Sequence, residues 1–359
     1  MKLYGFGSNG SGQLGIGNTE DTSLPQVCLL ADCQEWPSPI KTIKSGGNHT
    51  LVLLESGQLF VSGCIRDGRA GLPSSADSIT KFSEVPPSAF GSSKVKLCSA
   101  LWEASVVVTD DNQVYTFGVG SKGELGTGNV AEELSNRLEK SWPNNEQIVD
   151  LSSGMGHTVV TLSNGDVYGW GNGRKGQLGT PNEITWLPRK IQNLSFQVVR
   201  AVCGTDFTYL VGEPGLGHHA ILGSDKWKIR SNAPSSCLDW NQITASWGSI
   251  FTLSISGNFH AWGRNDYGQL GPEKPQIGFT HIIAGSEHAI AMTESGSVVV
   301  WGWGEHGNCG PRNNSQGEVK GWWNEIHASS FGNSHKVIGI AAGCATTFVW
   351  TEEAEDQPD

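Results

Sequence analysis

Charge is scarce in this sequence. Only 16% of its 359 residues are Asp, Glu, Lys or Arg, and the balance is acidic, with a formal net charge of −11. There is no basic arm and no cluster of Lys and Arg. Such a chain repels phosphate backbones and anionic membrane surfaces, so nucleic acid and membranes are not expected partners. No run approaches the roughly 20 apolar residues that span a bilayer. The start, Met1-Lys2-Leu3-Tyr4-Gly5-Phe6-Gly7, has no apolar signal-peptide core. The expected compartment is the cytoplasm, with the nucleus also open. The eight Cys are scattered without a CxxC pair, and are expected to be reduced and mostly buried. His306 and Cys309 form an HxxC pair and His218 and His219 are adjacent, but neither pair completes a four-ligand metal site. No GxSxG elbow precedes a helix. The expectation is therefore a protein that is not an enzyme, with no catalytic residue, no metal site and no cofactor of its own.

What the chain does have is glycine, 48 residues of it, interleaved with Trp, Phe and β-branched residues. That mixture points to many short strands and tight turns. One pattern recurs: an alternating apolar strand, an aromatic residue, an anchor Gly, then Gly five and eight positions on. It appears at Gly7, Gly12 and Gly15, and returns from the anchors Gly63, Gly118, Gly171, Gly263 and Gly302. A worn copy surrounds Gly223. Anchors are spaced by about 39 to 56 residues, the length of a propeller blade. The turn reads Gly12-Gln13-Leu14-Gly15, Gly123-Glu124-Leu125-Gly126, Gly176-Gln177-Leu178-Gly179 and Gly268-Gln269-Leu270-Gly271, with the Leu expected to plug the blade core.

Each blade has a partner half, a strand, Gly turn and strand, as in Ile43 to Leu54, Leu151 to Leu162 and Ile282 to Thr293. The chain opens with an orphan second half (Leu3 to Gly15) and closes with an orphan first half (Ile340 to Trp350). Joining them completes a seventh blade and protects the sheet edges. The expected fold is all-β: a single seven-bladed β-propeller over residues 1–350, closed by pairing of its two terminal halves, followed by an acidic disordered tail at 351–359. Residues 19–39, 74–94, 129–147 and 230–240 are expected to be surface loops, with a short helix over Ala131 to Lys140.

Several motifs have a structural reading. GxGxxG occurs at 118–123, 171–176 and 302–307, in one register of three blades and with no helix following, so it is turn chemistry and not a dinucleotide site. His49, His157 and His288 share one repeat position, and each is expected to hydrogen-bond its own turn. Trp170, Trp262 and Trp301 occupy the aromatic core position. Trp102 and Trp247 sit in Gly turns, while Trp240, Trp322 and Trp323 lie in connections. These last five either cover blade edges or serve as contact hot spots.

The Gly-Gln-Leu-Gly repeat resembles that of the regulator of chromosome condensation superfamily along nearly the whole chain. A narrower resemblance rests on Val300-Trp301-Gly302-Trp303-Gly304-Glu305-His306-Gly307-Asn308-Cys309-Gly310-Pro311, on Gly343-Cys344-Ala345-Thr346-Thr347-Phe348, on Tyr4 to Gly10 and on Gly46-Gly47-Asn48-His49. These segments look like the fungal alpha-tubulin suppressor, or killer-toxin-insensitivity, family. That resemblance implies a non-catalytic subunit that forms a heterodimer with a small CSL-type zinc-ribbon protein carrying iron or zinc. The partner donates electrons to iron–sulfur radical enzymes, supporting diphthamide synthesis and Elongator-dependent modification of tRNA wobble uridines. The motif departs from the generic repeat at Glu305, His306, Asn308 and Cys309. With Trp247, Glu287 and His288 these form the expected partner-binding patch. The competing expectations are a guanine-nucleotide exchange factor for a small GTPase and a ubiquitin-ligase accessory propeller.

Overall fold

The computed structural model describes residues 1–72, 76–128, 136–272, 277–332 and 335–353. Seven antiparallel sheets surround one axis. From the axis outward, blade 1 comprises Ile40–Ser45, His49–Leu54, Leu59–Cys64 and Ser78–Glu84. Blade 2 comprises Val95–Ala100, Ala104–Thr109, Val114–Gly118 and Asn136–Arg137; blade 3, Ile148–Ser153, His157–Leu162, Val167–Asn172 and Ile184–Lys190. Among the described residues, blades 4 and 5 have three strands each: Arg200–Cys203, Phe207–Val211 and His219–Gly223, then Trp240–Ala245, Ser249–Ser254 and Phe259–Gly263. Blade 6 comprises Phe279–Ala284, His288–Thr293, Val298–Trp303 and Glu318–Ile326.

Blade 7 is assembled from both ends of the chain. Its inner strands are His335–Ala342 and Thr346–Glu353, and its outer ones Lys2–Gly7 and Thr22–Val27. The seam runs in register from Lys2 opposite Thr351 to Gly7 opposite Thr346, which is the ring closure expected from the orphan halves. The second strand of each blade is sandwiched between neighbouring sheets, so His49–Leu54, Ala104–Thr109 and His157–Leu162 are buried at every residue. The core is a set of wedges between blades. Leu3, Leu14, Val52 and Phe348 fill the junction of blades 7 and 1, and Leu125, Val106, Val160 and Trp170 that of blades 2 and 3.

The anchor glycines hold the loops against the strands. Gly171 has φ +101°, and a Cβ there would lie 2.5 Å from the carbonyl oxygen of Gly156, so no other residue fits without backbone movement. Leu14, Leu125 and Leu178 plug the core as the repeat implies, whereas Leu270 is only half-buried. Trp170, Trp262 and Trp301 are buried, and each indole N–H donates to a carbonyl of the preceding blade, of Glu124, Ile229 and Gln269 respectively.

Four expectations need correction. Three of the four stretches expected to be loops contain the outermost strand of a blade: Thr22–Val27, Ser78–Glu84 and Asn136–Arg137. Asn136–Arg137 pairs with Thr116 and Tyr115, so the expected helix at Ala131 to Lys140 does not extend over those two residues; positions 131–135 lie outside the described residues. The tail does not begin at 351, because Thr351–Glu353 continue the seam strand and pair with both neighbours; residues 354–359 lie outside the described residues. Trp240 opens the inner strand of blade 5, and Trp322 and Trp323 belong to the outer strand of blade 6, not to connections.

The repeated histidines also bond differently from the expectation. His49, His157 and His288 each place Nε2 2.9 Å from a hydroxyl of the next blade, on Ser105, Thr208 and Thr347. Each hydroxyl donates its one proton onward to a turn carbonyl, that of Arg69, Gln177 or Asn308. The hydroxyl must therefore accept from the ring, which fixes the neutral Nε2–H tautomer. Burial drives the three rings down to about 3, 4 and 4, so they remain neutral ties between blades.

Candidate interaction face

Strand register assigns the candidate residues to one face. The turn that joins each inner strand to its second strand lies beside the Gly-rich loop that follows the third strand, because His49 pairs with Gly63 and His288 with Gly302. Trp247, Glu287, His288, Glu305, His306, Asn308 and Cys309 all belong to these turns and loops or to the strand ends they flank. They therefore gather at the same end of the ring.

At the mouth of the axial channel, the second residue of each inner turn is Gly47, Trp102, Met155, Thr205, Trp247, Ser286 or Cys344. Backbone hydrogen bonds link these turns between blades: Gly47 N–H to Trp102, Trp102 to Met155, Thr205 to Trp247, Trp247 to Ser286, and Ser286 to Gly343. Trp102 of blade 2 and Trp247 of blade 5 are three blades apart, the largest separation in a ring of seven. Their rings nevertheless meet at 5.6 Å between centroids, bridging the mouth.

Beside Trp247 lies a depression of about 210 Å³ lined by Met155, Asp206, Lys226, Trp227, Arg264 and Glu287. Trp227 is 40% exposed and sits on backbone at φ +64°. Arg264 is the hub. Its guanidinium lies 4.8 Å from the Trp227 ring and 4.7 Å from that of Tyr267, stacked between them. It forks onto Asp266 at 2.6 and 2.9 Å and also donates to Glu287. Glu287 accepts a further bond from Gln269 at 2.7 Å. Burial pushes the Glu287 carboxyl up, against the Gln269 hydrogen bond and the Arg264 charge that pull it down.

The rest of the expected patch divides by depth. Glu305 is exposed, and His306 is part-exposed with its Nδ1 2.7 Å from Asp21 of blade 7. The Trp303 ring stands edge-on to His306 at 5.3 Å. His288, Asn308 and Cys309 are buried. Cys309 occupies the core position that Leu holds in other blades, and its thiol is pushed well above the usual range by burial. Asn308 replaces the repeat's Gln. Gln13, Gln177 and Gln269 each accept from the backbone N–H two residues earlier; the shorter Asn308 instead donates to the Trp303 carbonyl. The departure at positions 308 and 309 is thus an internal refit that supports the loop carrying Glu305 and His306. These two do not line the depression beside Trp247.

Trp227, Arg264 and Tyr267 were not singled out from the sequence. The available signal was a Trp between two Lys just after the worn anchor Gly223, and an Arg directly after the anchor Gly263 with a Tyr three residues on, at the repeat position where blade 4 carries Trp227. Among the described residues, no group of three His, Cys, Asp or Glu is arranged to hold a metal ion. No helix among them is long and apolar enough to cross a membrane.

Relatives share this architecture. An RCC1 repeat-containing protein of Schizosaccharomyces pombe is 33% identical over 320 residues, covering 81% of this chain and 84% of the relative. The secretion-regulating guanine nucleotide exchange factor of Mus musculus is 28% identical, covering 81% and 72%. The crystal structure of Prp20p from Saccharomyces cerevisiae superposes with a TM-score of 0.82 at 18% identity, covering 99% of this chain and 92% of that one, a likeness of fold. The sequence profile of the RCC1-like domain matches residues 2–349. The chain therefore belongs to the RCC1-like domain family.

Proposed function

We propose that this protein is a non-catalytic binding subunit whose turn face docks a small CSL-type zinc-ribbon protein carrying iron or zinc, in support of diphthamide synthesis and Elongator-dependent wobble-uridine modification. The observation that carries the reading is the composition of that face. Half-exposed Trp227 and Trp247 and stacked Arg264 line one depression, exposed Glu305 lies on the same face of the ring, and Trp and Arg dominate the energetics of protein interfaces. The second support is the family-specific sequence Glu305-His306-Gly307-Asn308-Cys309, whose inner residues hold the outer two in place. The propeller contributes shape and polar complementarity, and the partner contributes the metal.

The test is capture of the purified zinc-ribbon partner by the folded propeller. Glu305→Ala with His306→Ala is expected to weaken capture by about tenfold, and Trp227→Ala by more. Undiminished capture by both variants, with unchanged circular dichroism, would count against the face. A second reading, a nucleotide exchange factor for a small GTPase, is favoured by what the mouse relative is called. Accelerated nucleotide release from Ran in the presence of this protein would select it.

A further inference from the structure

The axial channel encloses about 330 Å³ and is lined by the inner strands of all seven blades. Its charge runs opposite to that of the molecule. The chain carries −11 overall, whereas the channel wall carries Lys41, Lys44 and Arg200 against the single carboxylate of Asp150, three positive charges less one negative, or +2. These groups are not equally occupied. Lys41 donates to the Lys96 carbonyl at 2.9 Å, and Asp150 accepts the Ala201 N–H of the next blade at 2.8 Å. Lys44 and Arg200 have no hydrogen-bond or ion-pair partner among the described residues.

Lys44 stands two positions before the turn in the inner strand of blade 1. Ser99 of blade 2 and Ser152 of blade 3 stand at the corresponding level of the two blades that follow, and all three line the channel. An ammonium, a guanidinium from blade 4 and two hydroxyls thus share one confined space. Lys44 and Arg200 are both exposed where they line the channel, near enough for each to feel the other's charge, and Asp150 is the one carboxylate beside them. Two like charges held close together with only one carboxylate between them attract an anion, which offsets their mutual repulsion.

We propose that the channel is a binding site for a small tetrahedral oxyanion of the phosphate class, held between Lys44 and Arg200 with hydroxyl donors from Ser99 and Ser152. The Trp102–Trp247 bridge obstructs the turn-face mouth, so the anion enters past Lys41 at the opposite face. Charged donors shorten and strengthen bonds to phosphate oxygens, and the cavity accommodates an ion or a small phosphomonoester but not a polymer. The site is separate from the Trp227 and Arg264 face, and its occupancy does not depend on the zinc-ribbon reading.

The experiment is calorimetric titration of the full chain with inorganic phosphate, sulfate and glycerol phosphate at fixed ionic strength, together with thermal melts in the same anions. Saturable one-to-one binding and a raised melting temperature are expected. Lys44→Met is expected to weaken binding on the order of tenfold, Arg200→Gln to weaken it similarly, and Lys81→Met on the exposed outer strand of blade 1 to leave it unchanged. Tighter binding of glycerol phosphate than of phosphate identifies a phosphorylated metabolite as the ligand; equal or weaker binding identifies the free ion. Absence of saturable binding by the wild type overturns the proposal. So does equal binding by Lys44→Met and Arg200→Gln, each confirmed folded by circular dichroism.

Discussion

Acid should loosen the ring through its buried histidines, and His157 isolates the effect. Its ring is fully buried, its Nε2 bonds Thr208 of the next blade at 2.9 Å, and desolvation alone lowers it from 6.5 to about 4. The unfolded chain takes up a proton below about pH 6.5, while the folded ring stays neutral until about pH 4. The unfolded state therefore binds more protons throughout that window, and stability falls with falling pH. The slope for one ring is about 1.4 kcal/mol per pH unit, which accumulates to about 2 kcal/mol at pH 5. His49 and His288 behave alike, and together the three cost about 6 kcal/mol at pH 5, against a typical domain stability of about 5–15 kcal/mol. The perturbation is His157→Gln, which keeps an N–H donor facing Thr208 and removes the titration. Urea unfolding at pH 7.5, 6 and 5 measures it. The variant is expected to be weaker than the wild type at pH 7.5, with the gap closing by about 2 kcal/mol at pH 5. Burial raises Asp150, Glu124 and Glu287, which opposes the overall acid trend, but these groups cancel in the comparison of wild type with variant. Parallel pH profiles for the two proteins would refute the reasoning.

Three other outcomes follow from the packing. Gly171→Ala, which forces a Cβ against the Gly156 carbonyl at positive φ, is expected to cost about 3 kcal/mol or more in chemical denaturation; a loss under about 1 kcal/mol would show that the loop relaxes freely. Arg264→Met removes the partner of buried Glu287 and its fork onto Asp266, with an expected loss of about 3 kcal/mol at pH 7.5 that shrinks toward pH 5 as Glu287 protonates. Deleting residues 338–350 removes fully buried Phe348 and Val349 and exposes Lys2–Gly7 as a free edge. It is expected to abolish cooperative melting, and an unchanged melting temperature would overturn the closure argument.

The ring was readable because its rules are local and repeated. Glycine at fixed offsets reports positive φ, and an orphan half at each end has only one place to go. The outer strands were harder to see. Thr22–Val27 has one face in water and no fully buried residue, so it lacks the apolar alternation that marks the second and third strands. The interaction face was legible in part. Trp247 and Glu287 line one depression, but Asn308 and Cys309 stood out as motif departures for a reason that is internal, since a Cys in the place of Leu and an Asn in the place of Gln repack the turn. Their sequence change reports the core beneath the surface. The meeting of Trp102 with Trp247 has no signal along the chain, because it depends on the diameter of the ring, a quantity fixed only when all the blades are counted.

The seam in blade 7 also sets an order of events during synthesis. Tyr4 finds its partner Val349 only after the residues between them have been made, about 20–70 s later at ordinary rates of translation. Throughout that interval the segment containing Leu3, Tyr4 and Phe6, all buried in the finished ring, is an apolar strand with an unmatched edge. Until its partner strand is made that edge is open to pairing with other chains, so the yield of folded ring depends on the pace of elongation as well as on its final stability.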